Sequence, residues 1–306
     1  MIIKQQGTLK EFQVRRYANS IEGKNCIVTG ANSGIGYATA EGLASRGANV
    51  YMVCRNKERG EAALSEIQSK TGNSNVHLEV CDLSSVSEIK SFASKFSKKD
   101  VPIHVLVNNA GLLEYNRITT SEGCISTSPP FVFQYRFDIY NQCCHCWKKL
   151  LLMLESSQFS SGGMYSVPLT NDLQFSDDKF DGVTQYARNK RVQVALTEKW
   201  AEMYKNKGIG FYAMHPGWAE TSGLAKSLPG FYKLLSGNLR TIEEGADTVI
   251  WLALQPKEKL VSGAFYFDRA EAPKHLMFAA TRSSHAMIDS IIGNLRSFSG
   301  LSALSS

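Results

Sequence analysis

The 306-residue chain lacks several features that mark particular classes of protein. No apolar run approaches the ~20 residues that cross a bilayer, so we expect no transmembrane segment. The opening residues, 1–6, lead into no apolar stretch of the kind a signal peptide needs. Lysine and arginine are scattered without a stripe or interleaved aromatics, and the net charge of +6 is modest. The lack of a basic stripe argues against a nucleic-acid partner. The modest positive charge indicates a mild attraction to small phosphorylated molecules.

The chain also lacks the cysteine spacing of a disulfide framework. Its seven cysteines follow no such pattern, and a chain of this length has no need of covalent staples. We therefore expect reduced thiols and a cytoplasmic location. With 43% hydrophobic and 20% charged residues, the composition is typical of a globular protein.

A glycine-rich turn follows the first apolar run of the chain. The run Cys26 to Val28 predicts a strand, and a helical pattern begins near Gly34. A strand, a glycine turn and a helix start make an anion site, because unpaired N–H groups and missing side chains let a pyrophosphate approach. A turn that only needs positive φ is the alternative. The residues that we assign to the cofactor here are Thr29, Gly30, Asn32, Ser33, Gly34, Ile35 and Gly36.

The second predicted strand, Asn49 to Cys54, has no alternation of polar and apolar residues, as is typical of parallel strands buried on both faces. It ends in Arg55. An acidic residue there would bind the ribose 2′-hydroxyl of NAD, whereas an arginine suits a 2′-phosphate. The strand end thus favours NADP over NAD, although it could also be only a solvated basic residue.

Strands and helices continue to alternate along the chain. We predict a helix over 58–72, a strand over 76–80, a helix over 84–98 and a strand over 103–107. Asp82, with Leu83 after it, follows a strand at the edge where ligands of open α/β sheets lie. It either accepts a hydrogen bond from an adenine amine or caps the next helix, and both are possible together. The pattern predicts a doubly wound, mostly parallel α/β fold of the Rossmann type.

Five motifs together resemble the short-chain dehydrogenase/reductases, and within them the retinol-dehydrogenase-like branch. In chain order they are Thr29-Gly30 with Gly34-Ile35-Gly36, then Asp82-Leu83, Asn108-Asn109-Ala110-Gly111, Tyr186 with Lys190, and Pro216-Gly217. The resemblance implies a single domain over 24–270, an N-terminal extension over 1–23 and a C-terminal extension over 271–306 with an amphipathic helix. It further implies cofactor contacts from Asn109, Ala110, Gly111, Tyr186, Lys190, Pro216, Gly217 and Thr221.

Tyr186 and Lys190 are the catalytic residues that this resemblance implies. They lie four apart on a predicted helix, so they share one face, although a surface pair has the same spacing. A carbonyl that accepts hydride needs a proton, and an ammonium beside a phenol brings the phenol pKa toward the working pH. A serine hydroxyl would polarise the carbonyl. We assign that role to Ser161, with Ser160 as the alternative.

Residues 124–159 break the family pattern. The family has a helix with a catalytic asparagine there, and then an apolar fifth strand. In this chain Phe131 stands near that asparagine position, Asn141 comes about three helical turns later, and residues 154–159 are too polar for a central strand. We therefore expect an aberrant or missing fifth strand. Three interpretations are a displaced reading frame or mis-joined exon, which we favour, a genuine divergent segment, and a zinc site in 143–146, which the ligand spacing disfavours.

The predicted function is NADP-dependent interconversion of a carbonyl and an alcohol. Apolar residues between Trp218 and Leu235 predict a lid for a lipophilic small molecule, or an interface helix in a homo-oligomer. No metal is expected to take part. The alternative is a cofactor-binding protein with little or no catalysis, because the asparagine and the fifth strand are missing.

Overall fold

The computed structural model describes most of the chain, with gaps. The described residues are 20–111, 113, 116–119, 149–153, 163–173, 175, 180–227, 229–235, 237–277, 279 and 281–298. Within them no cis peptide bond is present.

One sheet forms the centre of the described structure. Its strands are β1 (Asn25–Thr29), β2 (Asn49–Cys54), β3 (Val76–Val80), β4 (Val105–Asn108), β5 (Lys149–Met153), β6 (Gly210–His215), β7 (Phe265–Phe267) and β8 (Ala270–Ala272). Their order is β3-β2-β1-β4-β5-β6-β7-β8. Neighbours from β3 to β7 pair in parallel, and β8 returns antiparallel to β7. The doubly wound α/β fold predicted from the sequence is thus confirmed.

The prediction of an aberrant or missing fifth strand is wrong. β5 pairs in parallel with β4 through Leu106↔Leu150 and with β6 through Leu151↔Tyr212. The strand precedes residues 154–159, the polar stretch where the family pattern places the fifth strand. After Lys149 its sequence, Leu-Leu-Leu-Met, is the continuous apolar run that is typical of a central parallel strand.

Helices cover both faces of the sheet. They are α1 (Gly34–Ala44), α2 (Lys57–Thr71), α3 (Val86–Ser97), α4 (Gly163–Ser166), α5 (Gly182–Met203), α6 (Ser222–Ser227), α7 (Pro229–Leu234), α8 (Ile242–Leu254) and α9 (His285–Phe298). Alternate residues of a strand reach opposite cores: Val28 packs with the helices α1 and α8, and Ile27 packs with α3 and α5. No described helix combines the length and the apolarity needed to cross a membrane.

The C-terminal helix α9 packs on the body of the protein. Ile288, Ile291 and Leu295 are buried in the core that also contains the apolar face of α5. Lys199 of α5 pairs with Asp289 of α9 at 3.0 Å. The amphipathic pattern therefore reflects docking within the chain. Strand β8 includes residues on both sides of the predicted domain boundary at residue 270.

Candidate active site

The glycine turn between β1 and α1 has the shape that an approaching anion needs. Gly30 and Gly34 have φ values of +64° and +56°, a region that residues with a side chain rarely adopt. Gly36 has ordinary φ but no free space. A Cβ on it would overlap the Asn109 amide nitrogen and the Gly30 carbonyl. The three glycines thus meet two different requirements, backbone conformation and close packing.

Thr29 and Asn109 fix this turn to the end of β4. The Thr29 hydroxyl accepts hydrogen bonds from the backbone N–H groups of Asn109 and Ala110, each at 3.0 Å. The Asn109 side-chain amide donates to the Thr29 carbonyl at 2.8 Å. All of these groups are at the carboxyl edge of the sheet. Thr29, Gly30 and Asn109, which are predicted to contact the cofactor, are therefore neighbours in the structure. Gly111 follows two residues after Asn109.

The start of α1 is suited to a pyrophosphate. Ser33 is the N-cap, but its side chain makes no capping hydrogen bond, and the first turn has no acidic residue. The first N–H groups of a helix have no partners within it, and its dipole attracts an anion. Asn32 and Ser33 are partly exposed beside them, and Ile35 is buried underneath. The uncapped helix start and the close glycine packing fit a dinucleotide pyrophosphate.

The ends of β2 and β3 carry the next predicted contacts. Arg55 is exposed directly after β2. Asp82 accepts hydrogen bonds from the backbone N–H and the hydroxyl of Ser84, at 2.9 and 2.8 Å. The cap of α3 is Ser85, whose hydroxyl accepts from Glu88. Asp82 therefore shapes the turn before the helix, and the capping role considered for it is wrong.

Tyr186 and Lys190 lie in the first half of α5. Asp181 caps this helix by accepting from the backbone N–H of Thr184 at 3.0 Å. Both side chains are buried, with 6% and 5% of their surfaces exposed, and the Lys190 ammonium lies 5.0 Å from the centre of the Tyr186 ring. A buried lysine beside a buried tyrosine is not a surface pair, which was the alternative to catalysis.

His215 ends β6 and is packed rather than reactive. Its ring stacks on Phe267, with centroids 5.3 Å apart. The pKa of His215 is lowered to about 3, mainly by burial and also by the nearby positive charges of Arg240 and Lys190. The charge of Lys190 therefore acts at the end of β6. His215 is therefore a packed residue at the strand end and not a candidate base.

Acid should destabilise the protein through His215. Its pKa is depressed in the folded state, so its contribution to stability is present above the unfolded pKa of about 6.5 and is lost as the pH falls toward 3. The free energy of unfolding should fall by about 1.4 kcal/mol per pH unit in that range. In His215→Leu the slope of the free energy of unfolding against pH, between pH 6.5 and 5, should decrease by about that amount. Urea unfolding at each pH measures the free energy. An unchanged slope would contradict the prediction.

The loop after β6 meets the glycine turn. Gly217 has a φ of +77°. The Thr221 hydroxyl accepts from the backbone N–H of Leu224 at 3.1 Å and so begins α6. The Thr221 methyl lies 3.4 Å from where a Cβ on Gly34 would stand. The structure therefore brings Thr221 beside the start of α1, with Pro216 at the head of the same loop.

Comparison with known proteins identifies the family. The short chain dehydrogenase model matches residues 24–127. A dehydrogenase/reductase SDR family member 12 of Bos taurus is 40% identical over 294 residues, which cover 92% of this chain and 88% of that protein. The chain belongs to the short chain dehydrogenase family. The human family member 12 is 37% identical over 300 residues, covering 94% of this chain and 90% of that protein.

The resemblance to the retinol-dehydrogenase-like branch of this oxidoreductase family is also confirmed. Human retinol dehydrogenase 12 is 32% identical over 263 residues, 81% of this chain and 78% of that protein. Among solved structures, an uncharacterised protein from Mycobacterium paratuberculosis has a TM-score of 0.71 at 21% identity, covering 94% of this chain and 97% of the other. That likeness shows the fold. Short chain dehydrogenases bind NAD or NADP.

Several residues predicted for this short chain dehydrogenase lie outside the described residues. They are the serines Ser160 and Ser161, the residues Phe131 and Asn141, and the cysteine-rich stretch 143–146. Within the described residues, no cluster of three or more potential ligands is placed to hold a metal ion.

Sequence reasoning missed two charged residues at this site, Arg240 and Asp268. They form a bidentate ion pair at 2.6 and 2.9 Å beside the loop that begins at Pro216. The only local signal was indirect. Arg240 precedes Thr241, which with Glu244 forms the capping box of α8.

Proposed function

We propose that this chain is an NADP(H)-dependent oxidoreductase that interconverts a carbonyl and an alcohol on a lipophilic small molecule. The observation that carries the proposal is the buried pair of Tyr186 and Lys190, with the ammonium 5.0 Å from the tyrosine ring. The pair belongs to a helix whose Lys190 charge acts on His215, at the same sheet edge as the glycine turn. A proton donor and a dinucleotide cradle thus share one edge of the fold.

Tyr186 acts as the acid and base in this proposal. When bound, NADPH supplies the hydride to the carbonyl carbon. The carbonyl oxygen takes its proton from the Tyr186 hydroxyl, and the Lys190 ammonium stabilises the resulting phenolate. Ser161 polarises the carbonyl as charge develops on its oxygen. In the oxidation direction Tyr186 accepts the alcohol proton.

The cofactor lies along the carboxyl edge of the sheet in this proposal. Residues Gly30 to Gly36 would hold the pyrophosphate, and Asp82 and Leu83 would hold the adenine. Asn109, Ala110, Gly111 and the loop from Pro216 to Thr221 would hold the nicotinamide end, and Lys190 would hold its ribose. Arg55 takes the 2′-phosphate, which distinguishes NADP from NAD.

Arg55→Asp should reverse the cofactor preference. An aspartate would repel the 2′-phosphate and accept a hydrogen bond from a ribose 2′-hydroxyl, so the ratio of kcat/KM for NADPH to that for NADH should fall by about 100-fold. Initial rates with each cofactor give this ratio. As a control, Arg46→Asp changes a cation at the other end of α1, where Arg46 donates to the Gly42 carbonyl, and should leave the ratio unchanged. A ratio unaffected by Arg55→Asp would remove the 2′-phosphate role.

A lipophilic substrate is supported by the lid and by the relatives. The helices α6 and α7 lie in the segment from Trp218 to Leu235, where Leu224 is buried and Leu234 is 77% exposed. The Tyr232 hydroxyl of α7 donates to the carboxylate of Glu220, which lies in the loop from Pro216 to Thr221. The names of two relatives, retinol dehydrogenase 11 and 12, indicate a lipophilic alcohol as their substrate.

The function is tested with purified protein, NADPH and a panel of carbonyls. Loss of NADPH absorbance with a long-chain aldehyde, and much less with a short polar ketone, is the expected result. NADPH binding without turnover of any panel member would favour the alternative, a cofactor-binding protein with little catalysis. One reason for that alternative was a missing fifth strand, and the presence of β5 removes it. The other reason remains, since Phe131 stands near the position of the family asparagine.

The displaced-frame interpretation of residues 124–159 is also a testable proposal. Peptide mass mapping of the native protein across residues 118–165 should find masses of an asparagine-bearing helix in place of the given sequence before β5. Recovery of the written peptide from Ile118 to Arg136 would show that the segment is genuine. The homo-oligomer and the cytoplasmic location expected from the sequence stay predictions.

A further inference from the structure

The turn between β7 and β8 is strained and is held by two ion pairs. Asp268 and Arg269 have φ values of +50° and +61°, and neither is glycine. Such backbone persists only where the surroundings fix it. Asp268 pairs with Arg240, and Arg269 donates through two nitrogens to Asp247 of α8. Each side chain of the turn is thus directed to a different neighbour.

Arg240 holds the loop after β6 through its side chain. Its Nη1 donates to the Pro216 carbonyl at 3.2 Å and also to Asp268. The guanidinium lies directly against Gly217. A Cβ on that residue would stand only 2.6 Å from the Arg240 Cζ, so a side chain there would overlap the guanidinium. The Arg240 guanidinium also lies 5.1 Å from the centre of the Phe267 ring. The side chain therefore fills the space that Gly217 leaves open.

The backbone of Arg240 holds the same loop further on. Its N–H donates to the Trp218 carbonyl at 2.7 Å, and its carbonyl accepts from the Glu220 N–H at 2.7 Å. Ala219 between them pairs with Arg240 as a parallel bridge. One residue thus contacts the loop from Pro216 to Glu220 at successive points, and Thr221 comes next at the glycine turn.

We propose that Arg240 and Asp268 are positioning residues that hold the Pro216–Thr221 loop in the conformation that receives the nicotinamide end of the cofactor. This inference rests on the proposed function. Arg240 acts through the loop, and Asp268 acts through Arg240 by fixing the plane of the guanidinium with two hydrogen bonds. Arg240 is 9% exposed, so removing Asp268 would leave a largely buried cation without its carboxylate.

The second ion pair of the same turn is a matched control. Arg269 and Asp247 are joined bidentately, and their side chains are 7% and 15% exposed, against 11% and 25% for Arg240 and Asp268. The Arg269 side chain donates to Asp247, and its backbone N–H donates to the Thr248 hydroxyl at 3.3 Å, so these bonds join the turn to α8. A general loss of stability should follow from breaking either pair. A change in the loop should follow only from breaking the first.

The test compares Arg240→Met with Arg269→Met. Hydrogen exchange of peptides spanning 215–222 in the cofactor-free protein should speed up by about tenfold or more in Arg240→Met and stay as in the wild type in Arg269→Met. The dissociation constant for NADPH, from fluorescence titration, should rise by about tenfold or more in Arg240→Met only. Arg240→Lys should restore part of the affinity, since it keeps the charge but loses the fork.

Two outcomes would overturn the inference: wild-type exchange in Arg240→Met, or equal effects from both variants. If Arg240→Met does not fold, Asp268→Asn retains the shape of the pair and should show the same exchange change to a smaller extent. Wild-type protein that binds no nicotinamide dinucleotide would refute the proposed function, while exchange in the cofactor-free protein would still decide whether Arg240 holds the loop.

Discussion

Tyr186→Phe is expected to lower kcat by about a thousandfold and to leave the dissociation constant for NADPH within about twofold of the wild type. The substitution removes only the hydroxyl, so the ring that the Lys190 ammonium faces at 5.0 Å is retained. The carbonyl oxygen then has no proton donor at Tyr186. Stopped-flow or steady-state loss of NADPH absorbance measures the rate, and fluorescence titration measures the binding.

A second tyrosine–lysine pair in the structure provides the control. The Lys70 ammonium donates to the Tyr37 hydroxyl at 3.1 Å and lies 5.2 Å from the centre of its ring. Burial raises the pKa of Tyr37 to about 12, and Lys70 is also paired with Glu66 and Glu41. Tyr37→Phe should therefore cost about 1 kcal/mol of stability or less and leave kcat unchanged.

The two variants separate chemistry from packing. Equal loss of activity in both would mean that tyrosine hydroxyls matter here only for stability. Retained activity in Tyr186→Phe would remove Tyr186 as the acid and base, and with it the role proposed for Lys190. The comparison also explains why spacing alone was weak evidence. Among the 12 tyrosines only Tyr186 has a lysine four residues later, yet Tyr37 acquires a lysine partner across two helices.

Most of the fold is predictable from the sequence because each buried parallel strand corresponds to a short apolar run of residues. The predicted strands 49–54 and 76–80 have the observed bounds, and the predicted helix 58–72 differs by one residue at each end from α2 (Lys57–Thr71). β5 was missed although Leu150-Leu151-Leu152 is such a run, because the family pattern directed attention to residues 154–159. β8 has three residues, Ala-Glu-Ala, and its antiparallel pairing depends on the turn at Asp268.

Local motifs made part of the site predictable, and long-range pairing hid the rest. Gly30, Gly34 and Tyr186 are recognisable because each belongs to a short pattern with a physical function. The Arg240–Asp268 pair joins residues 28 positions apart, and nothing in either local sequence points to the other. The capping choice between Asp82 and Ser85 depended on which side chain reaches the helix N–H groups, and several capping residue types follow one another there.

Gly36→Ala should remove cofactor binding and destabilise the protein together. The new methyl group would overlap both the Asn109 amide and the Gly30 carbonyl, so the turn or the helix start must shift. Crowding of a packed site costs about 1–3 kcal/mol. Any shift also disturbs the Asn109 hydrogen bond to the Thr29 carbonyl and the cradle beneath the pyrophosphate. The dissociation constant for NADPH should rise by about 100-fold, measured by fluorescence titration, with a lower melting temperature by calorimetry.

Gly42→Ala, two turns later in α1, separates crowding from site geometry. Its methyl group would meet the end of the Ile250 side chain, which can rotate away, and alanine is favoured over glycine within a helix by about 1 kcal/mol. Stability should therefore change little, and NADPH affinity should stay as in the wild type. If Gly36→Ala also bound NADPH normally, the close contact of α1 with Gly30 and Asn109 would not be needed for the cofactor. The glycine turn would then retain only its requirement for positive φ at Gly30 and Gly34, which is the simpler interpretation of the same motif.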